Sequence, residues 1–372
     1  MRRGSSRFRK NDSVSSTANL GLEGVVAFET EIAEPDKEGS ALRYRGVDIE
    51  ELAGHVPFEQ VWGLIVNESL ERGLQLPTPD VAPVSRSHDA RVDLQATLPT
   101  LAPVWGLQQL VDIDADQARE DLARLSAAAL SIVAKSLRGA QPIVPEREVA
   151  EGKTAAEQFL LRWRGEVNPK HANAIDVYWV SAAEHGMNAS TFTARIAAST
   201  GADCAACMAS AVGSLSGPLH GGAPARVLPM LDAVAESGDP AKYVEELLAR
   251  GERIMGFGHR VYRAEDPRAR VLRRTAQELG SPRVEVAEAL EKAAIEALRE
   301  KHPDRPLETN VEFWGAVVLE LAEVPAAITP ALFACARTAG WSAHIVEQKR
   351  TGRLIRPSAN YVGPAERELS SL

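Results

Sequence analysis

Apolar residues recur at helical spacing along most of this 372-residue chain. In one segment Phe58, Val61, Trp62 and Ile65 fall at i, i+3, i+4 and i+7, on one face of a helix. Strand-like alternation is brief and N-terminal, at 24–28 and 42–45. The pattern predicts a mainly α protein without a fixed-period repeat. Helices are predicted at 57–70, 116–138, 155–163, 173–185, 188–200, 239–251 and 266–280.

Helix starts are marked by a repeated dipeptide. Asp239-Pro240 and Asp266-Pro267 each combine a favoured N-cap residue with the residue that fits the first helical position. Asp48 is predicted to cap a further short helix, and Asn188 is predicted to cap the helix at 188–200.

Composition limits the classes of partner. With 45% hydrophobic residues the chain can bury a core large enough for two structural units. Its formal charge of −9 argues against nucleic acid or a membrane surface as partner, because both attract basic proteins. No apolar run approaches the ~18 residues of a membrane span, and no signal-peptide pattern is present, so we expect a cytoplasmic protein.

The N-terminal residues 1–19 are basic and rich in serine, and they predict a disordered tail. A mitochondrial transit peptide has a similar composition and stays open as an alternative, although the segment has almost no apolar face.

Cys204 and Cys207 form a C-x-x-C motif. Zinc would need a second ligand pair, and a redox motif would need a preceding strand. Together with Met208, Ala211 and Leu215, the two cysteines instead form the apolar stripe of a helix, which predicts core packing.

The run at 256–270 is rich in residues that can carry chemistry. It holds His259, four arginines, two glycines and the helix start at Asp266. A ligand-binding loop would use this mixture, but a solvated loop of charged residues is the simpler alternative.

Three further polar segments interrupt the helices. His185 and His220 lie in junctions, and Glu312 falls in the first turn of a helix that Asn310 caps. No H-E-x-x-H zinc motif or G-x-S-x-G nucleophile motif is present, so no metal is expected. Proton transfer by histidines and one carboxylate is the remaining chemistry, although a single histidine in such a junction is more often a structural hydrogen-bonding residue than a catalyst.

These segments closely resemble the signature blocks of the citrate synthase family, in order and in spacing. The matching blocks are 217–223, 256–268, 310–313 and 333–341, and the resemblance extends to 21–52 and 353–357. It is nearest to the short members, which lack an N-terminal extension. The resemblance implies a helical enzyme with a large domain of 20–222 and 319–372, a small domain of 223–318, and an active-site cleft between them.

By resemblance, the enzyme joins acetyl-CoA to oxaloacetate and hydrolyses citryl-CoA, with no cofactor. Glu312 would take a methyl proton, His220 would hydrogen-bond the thioester oxygen, and His259 would polarise the ketone. The oxaloacetate ligands would be His185, Arg268, Arg337 and, from the partner subunit of a homodimer, Arg356. The CoA-binding residues would be Ile254, Met255, Gly256, Phe257, Gly258 and Arg263.

Glu312 departs from the commonest family pattern, which has Asp. We expect the helix N-terminus to favour its ionised form, making it a ready but weak base. Catalysis is then expected to need strong hydrogen bonds to the enol oxygen in a site closed by domain movement. Two alternatives remain: a 2-methylcitrate synthase that uses propionyl-CoA, and a non-catalytic CoA-binding homologue.

Overall fold

The described residues fold mainly into α-helices, which confirms the predicted class. The computed structural model describes residues 20–22, 24–36, 40–217, 220, 226–258, 262, 264–304, 307–368 and 370. The α-helices are α1 (Ile49–Leu52), α2 (Phe58–Asn67), α3 (Ala90–Trp105), α4 (Ala115–Arg138), α5 (Glu146–Val149), α6 (Ala155–Arg164), α7 (Pro169–Ala182), α8 (Ala189–Ser199), α9 (Cys204–Leu215), α10 (Leu228–Ser237), α11 (Pro240–Ala249), α12 (Pro267–Glu278), α13 (Val284–Lys301), α14 (Val311–Leu321) and α15 (Thr329–Thr351).

Side-chain caps set most of the helix starts. The predicted N-caps Asp48, Asn188, Asp239, Asp266 and Asn310 each accept a hydrogen bond from a backbone amide of the first turn. These caps satisfy amides that have no partner within the helix. The starts of α1, α8, α11, α12 and α14 are therefore confirmed.

One helix is shifted from its predicted bounds. α7 begins at Pro169 with Asn168 as its N-cap, four residues before the predicted start, and it ends at Ala182 rather than at 185. The Asn-Pro signal is of the same kind as the Asp-Pro starts.

The sheet contains three short antiparallel strands, β1 (Ala33–Asp36), β2 (Ala41–Tyr44) and β3 (Val47–Asp48). The strand predicted at 42–45 is confirmed within one residue. Residues 24–28 are all described and form no strand, so that prediction was wrong. Val26 is 87% exposed, which shows that the short apolar run has no buried face.

Helix α15 forms the centre of the core. From 329 to 348 every residue except Pro330 and Phe333 is buried, and α2, α4, α7, α8 and α9 all pack against it. A Cβ atom at Gly340 would lie 2.8 Å from the carbonyl oxygen of Ala183, so glycine permits the close approach of α15 to the end of α7. This contact brings the residues after α7 beside the middle of α15.

The chain divides into two compact units. One is Thr30–Ile355, and the other combines Met1–Glu29 with Arg356–Leu372. The expected boundaries at 222/223 and 318/319 both fall inside the first unit, and that division stays a prediction. The predicted tail at 1–19 lies outside the described residues. Among the described helices, none is long and apolar enough to cross a membrane.

Candidate active site

His185 lies in the junction between α7 and α8, as predicted. Its ring is buried, its Nε2 is 3.0 Å from the hydroxyl oxygen of Tyr262, and the two rings meet edge to face at 5.3 Å. The Tyr262 contact holds the imidazole in one orientation.

His220 is held by Ser190 in the first turn of α8. Its Nε2 lies 2.8 Å from Ser190 Oγ and 3.4 Å from the Ser190 backbone nitrogen. A backbone amide only donates, so Nε2 accepts and the ring proton belongs on Nδ1. Burial, and then the charge of Arg337, lowers the pKa of His220 to about 4. His220 is therefore neutral at pH 7 and can donate a hydrogen bond without carrying charge.

Asp266 joins the starts of α12 and α14. Its Oδ1 accepts from the Arg268 amide at 3.0 Å and from Arg268 Nε at 2.9 Å, and its Oδ2 accepts from Arg268 Nη2 at 2.7 Å. The same Oδ2 accepts from the Val311 amide at 3.2 Å. Both charged side chains are buried. Burial alone lowers the pKa of Arg268, but Asp266 reverses this effect and raises it.

A glycine-containing strip fixes the entry to α14. The Gly258 amide donates to the Glu308 carbonyl at 2.8 Å, and the Asn310 amide donates to the Gly256 carbonyl at 2.9 Å. Gly256 has φ +87°, and a Cβ atom there would lie 2.7 Å from Phe313 Cβ. Only glycine fits this left-handed, crowded position. The strip therefore places the first turn of α14, and with it Glu312.

The pKa of the Glu312 carboxyl group is higher than its position at a helix N-terminus led us to expect. Burial raises the pKa of Glu312 from its usual 4.5 to about 7, against the opposing charge of Arg268 and with a further increase from Asp266. Desolvation therefore outweighs the favourable end of α14. The carboxylate is a stronger base than the sequence predicts, while half of it is still ionised near pH 7.

Arg337 is a buried cation on α15. It is 2% exposed, its Nε donates to the Ala182 carbonyl at 2.8 Å, and its guanidinium stacks over Phe333 at 4.7 Å. Within the described part of the chain it forms no ion pair within 4.0 Å. Burial lowers the pKa of Arg337, Arg268 lowers it further, and Glu184 opposes the change. A charge buried in this way without a paired anion favours binding of an anionic ligand.

These side chains meet in one cavity of about 160 Å³. It combines two guanidinium groups, two imidazoles and one carboxyl group. The lining residues are Tyr178, His185, Asn188, His220, Arg268, Asn310, Val311, Glu312, Phe333 and Arg337. A dianion could bind the arginines, and the carboxylate could remove a proton beside it.

The cavity brings together five of the residues predicted for the site: His185, His220, Arg268, Glu312 and Arg337. The strip of Ile254, Met255, Gly256, Phe257 and Gly258 supports α14 without lining the cavity. His259 and Arg263 lie outside the described residues. Arg356 is exposed and belongs to the other compact unit.

The sequence identified Asn188 and Asn310 only as caps and did not single out Tyr178 or Phe333 for the site. Both asparagines do cap helices, and both also line the cavity. Phe333 lies one helical turn before Arg337 and could have been found from that spacing. Tyr178 sits in the apolar pattern of α7, and no local signal distinguishes it from a core residue.

The cysteine interpretation is confirmed. Cys204 and Cys207 are buried in α9, and burial raises the pKa of the Cys207 thiol to about 12. Among the residues that the structure describes, no group of three or more His, Cys, Asp or Glu side chains could hold a metal ion.

Comparisons with known proteins agree on one family. A sequence model of the family described as "Citrate synthase, C-terminal domain" matches residues 21–358. The chain is 62% identical over 354 residues to a Mycobacterium tuberculosis protein named "Putative citrate synthase 2", covering 95% of each chain. It is 32% identical to the 2-methylcitrate synthase of Shewanella oneidensis over 361 residues, 94% of this chain and 96% of the relative.

A solved structure shares the fold. It is citrate synthase from Thermoplasma acidophilum in a ternary complex with carboxymethyl coenzyme A and oxaloacetate, with a TM-score of 0.79 and 28% identity over 95% of this chain and 98% of that chain. From the family match, the relatives and this structure, the chain belongs to the citrate synthase family of enzymes.

Proposed function

We propose that the protein condenses the methyl carbon of acetyl-CoA with the ketone carbon of oxaloacetate and hydrolyses the resulting citryl-CoA to citrate and CoA. One observation carries the proposal: a carboxyl group with a pKa of about 7 shares a cavity with two buried guanidinium groups. The carboxyl group can remove a methyl proton, and the two guanidinium groups can bind a dicarboxylate.

Oxaloacetate recognition rests on charge. Arg268 has part of its guanidinium engaged by Asp266, whereas Arg337 lacks an ion pair among the described residues. A bound dianion would relieve the repulsion between the two arginines, and His185 would add a hydrogen bond. Arg356 of a second subunit would complete the carboxylate ligands in a homodimer.

Proton transfer then involves three groups. Glu312 takes a proton from the thioester methyl group, and the neutral His220 donates its Nδ1 hydrogen to the developing enol oxygen. The enol carbon bonds to the ketone carbon, and His259 protonates the new alkoxide. Water cleaves the thioester, which releases CoA, and no resident cofactor is required.

CoA would lie along Ile254–Gly258, with Arg263 at its phosphates. Movement of the small domain of 223–318 toward the large domain would exclude water and complete the site. Oxaloacetate is then expected to change small-angle scattering and to raise the affinity for acetyl-CoA. The cytoplasmic location expected from the sequence also stays a prediction.

The second candidate function is 2-methylcitrate synthesis from propionyl-CoA, favoured by the Shewanella oneidensis relative. The same residues would serve, because one methylene is worth only about 1–3 kcal/mol of discrimination in an apolar pocket.

Thiol release on addition of oxaloacetate tests both functions. We expect oxaloacetate-dependent release from acetyl-CoA, with kcat/KM about tenfold or more above that for propionyl-CoA. The opposite ratio would identify a 2-methylcitrate synthase. No release from either thioester would indicate a non-catalytic homologue and contradict the proposal.

A further inference from the structure

The hydroxyl group of Tyr178 is buried at the cavity. The side chain lies on α7 and is 2% exposed, and its Oη has no hydrogen-bond partner among the described residues. The residue nevertheless lines the cavity that holds Glu312. A buried donor left unpaired is destabilising, so a partner is expected when the site is at work.

The ring of Tyr178 packs against the helix that carries Glu312. A Cβ atom at Gly315 would lie 3.3 Å from Tyr178 Cε2. Gly315 follows Glu312 by three residues on α14 and therefore lies on the same helical face. The absence of a side chain at Gly315 lets the phenol approach this face closely.

Among neighbouring charges, the Glu312 carboxylate has the largest effect on the pKa of Tyr178. Burial raises the pKa of Tyr178, and the Glu312 carboxylate raises it further, ahead of the opposing effects of Arg337 and Arg268. The phenol therefore keeps its proton at neutral pH and can only act there as a hydroxyl group, which donates one hydrogen bond.

The cavity offers few acceptors for this donor. Arg268 and Arg337 only donate. The side-chain oxygens of Asn188 and Asn310 already accept from helix amides, and His220 Nε2 faces Ser190. By contrast, none of the side-chain hydrogen bonds among the described residues ends on the Glu312 carboxylate. An unpaired donor and an unpaired acceptor thus share one cavity.

We propose that Tyr178 is a positioning residue for Glu312: its hydroxyl donates to one carboxylate oxygen while the other faces the thioester methyl group. The role rests on the proposed function of Glu312 as the base. The hydrogen bond fixes the orientation of a flexible side chain, and it stabilises the ionised form that accepts the proton.

Tyr178→Phe tests the proposal by removing only the hydroxyl group. Loss of the hydrogen-bond donor raises the pKa of the Glu312 carboxyl group. The acid limb of the pH profile of kcat, measured by thiol release, should therefore move up by about one pH unit. The pKa of about 7 belongs to a Glu312 without this hydrogen bond, so it applies to the variant, and the wild type should titrate about one unit lower. Activity should therefore fall about fivefold to tenfold near pH 5.5 and return to within about threefold of wild type near pH 8. The Kd for oxaloacetate should be unchanged.

Ser181→Ala is the matched control. Ser181 also lies on α7, its buried hydroxyl group has no hydrogen-bond partner in the described part of the chain, and it does not line the cavity. Its removal should leave the acid limb and the oxaloacetate Kd unchanged. A unit shift in this control would show that the effect follows from loosening α7 and would overturn the positioning role.

Other outcomes also decide the question. An unshifted acid limb in Tyr178→Phe, or an equal loss of activity at every pH, would overturn the proposal. A large rise in the oxaloacetate Kd would mean that Tyr178 binds the substrate directly and would also overturn the positioning role.

If the wild type releases no thiol from either thioester, the proposed function fails. Carbon-13 titration of the Glu312 carboxyl group then tests the hydrogen bond alone. Tyr178→Phe must then raise the pKa of that carboxyl group.

Discussion

At the scale of one residue, burial of the ionised Glu312 carboxylate lowers the stability of the folded protein at high pH. Burial beside Asp266 raises the pKa of its carboxyl group from 4.5 to about 7. The folded state therefore prefers the protonated form, so the contribution of this group to stability is greatest below pH 4.5. That contribution is lost as the pH rises through 7.

Glu312→Gln should therefore be more stable than the wild type at pH 8. A shift from 4.5 to about 7 corresponds to a gain of up to about 3 kcal/mol, at about 1.4 kcal/mol per pH unit. Chemical denaturation at pH 8 and pH 4.5 measures the difference in free energy of unfolding between the variant and the wild type. This difference should nearly vanish at pH 4.5. Glu51→Gln, at an exposed position on α1, is the control. A less stable Glu312→Gln protein at pH 8 would contradict the burial argument.

Among the elements, α12 and α14 depend on one shared cap. Asp266 accepts from the amides of both helices and pairs with Arg268. Asp239, by contrast, caps α11 at an exposed site, where it accepts from the Lys242 amide. The two Asp-Pro starts look alike in sequence but differ in what they hold together.

Asp266→Ala should destabilise the protein by about 3–5 kcal/mol, because it leaves Arg268 as an unpaired buried charge. Asp239→Ala should cost only about 1 kcal/mol, the value of an exposed cap. Thermal or chemical unfolding measures both. Asp266→Ala should also weaken oxaloacetate binding, as seen by calorimetry, whereas Asp239→Ala should not. Equal losses of stability would mean that Asp266 is only a cap.

Some features of these helices follow from the local sequence, and others depend on tertiary packing. N-caps such as Asn188 and Asp266 depend on local chemistry, so the starts of α8 and α12 follow from the sequence. The apolar run at 24–28 lacks a buried face, which only the folded structure reveals. The pKa of Glu312 and the exposure of Tyr178 to the cavity depend on how α7 packs against α14. Such contacts between distant helices leave no local pattern.

At the scale of the whole molecule, the central question is whether one chain completes its own site. Five predicted residues line a cavity within the unit Thr30–Ile355, while Arg356 belongs to the other unit. The homodimer expected by resemblance would supply this arginine from the partner. The family resemblance predicted these five residues as one group. His185, His220, Arg268 and Glu312 lie in junctions or first turns of helices, whereas Arg337 lies in the interior of α15.

Mixing two inactive variants tests the dimer. In a heterodimer of Arg356→Ala and Glu312→Gln subunits, one site keeps both native residues if Arg356 acts across the interface. Random reassociation should then restore activity to about a quarter of the wild-type level. His220→Ala mixed with Glu312→Gln should recover nothing, because both residues line the cavity of one chain. No recovery in the first mixture would contradict sharing of the site.

The most direct test of the central claim compares binding with chemistry in Glu312→Gln. Calorimetry should show oxaloacetate binding within about threefold of wild type, because the arginines remain. Oxaloacetate-dependent thiol release from acetyl-CoA at pH 8 should fall at least about a thousandfold, because the base is gone. If binding and thiol release fell together, or if release persisted, Glu312 would not be the base.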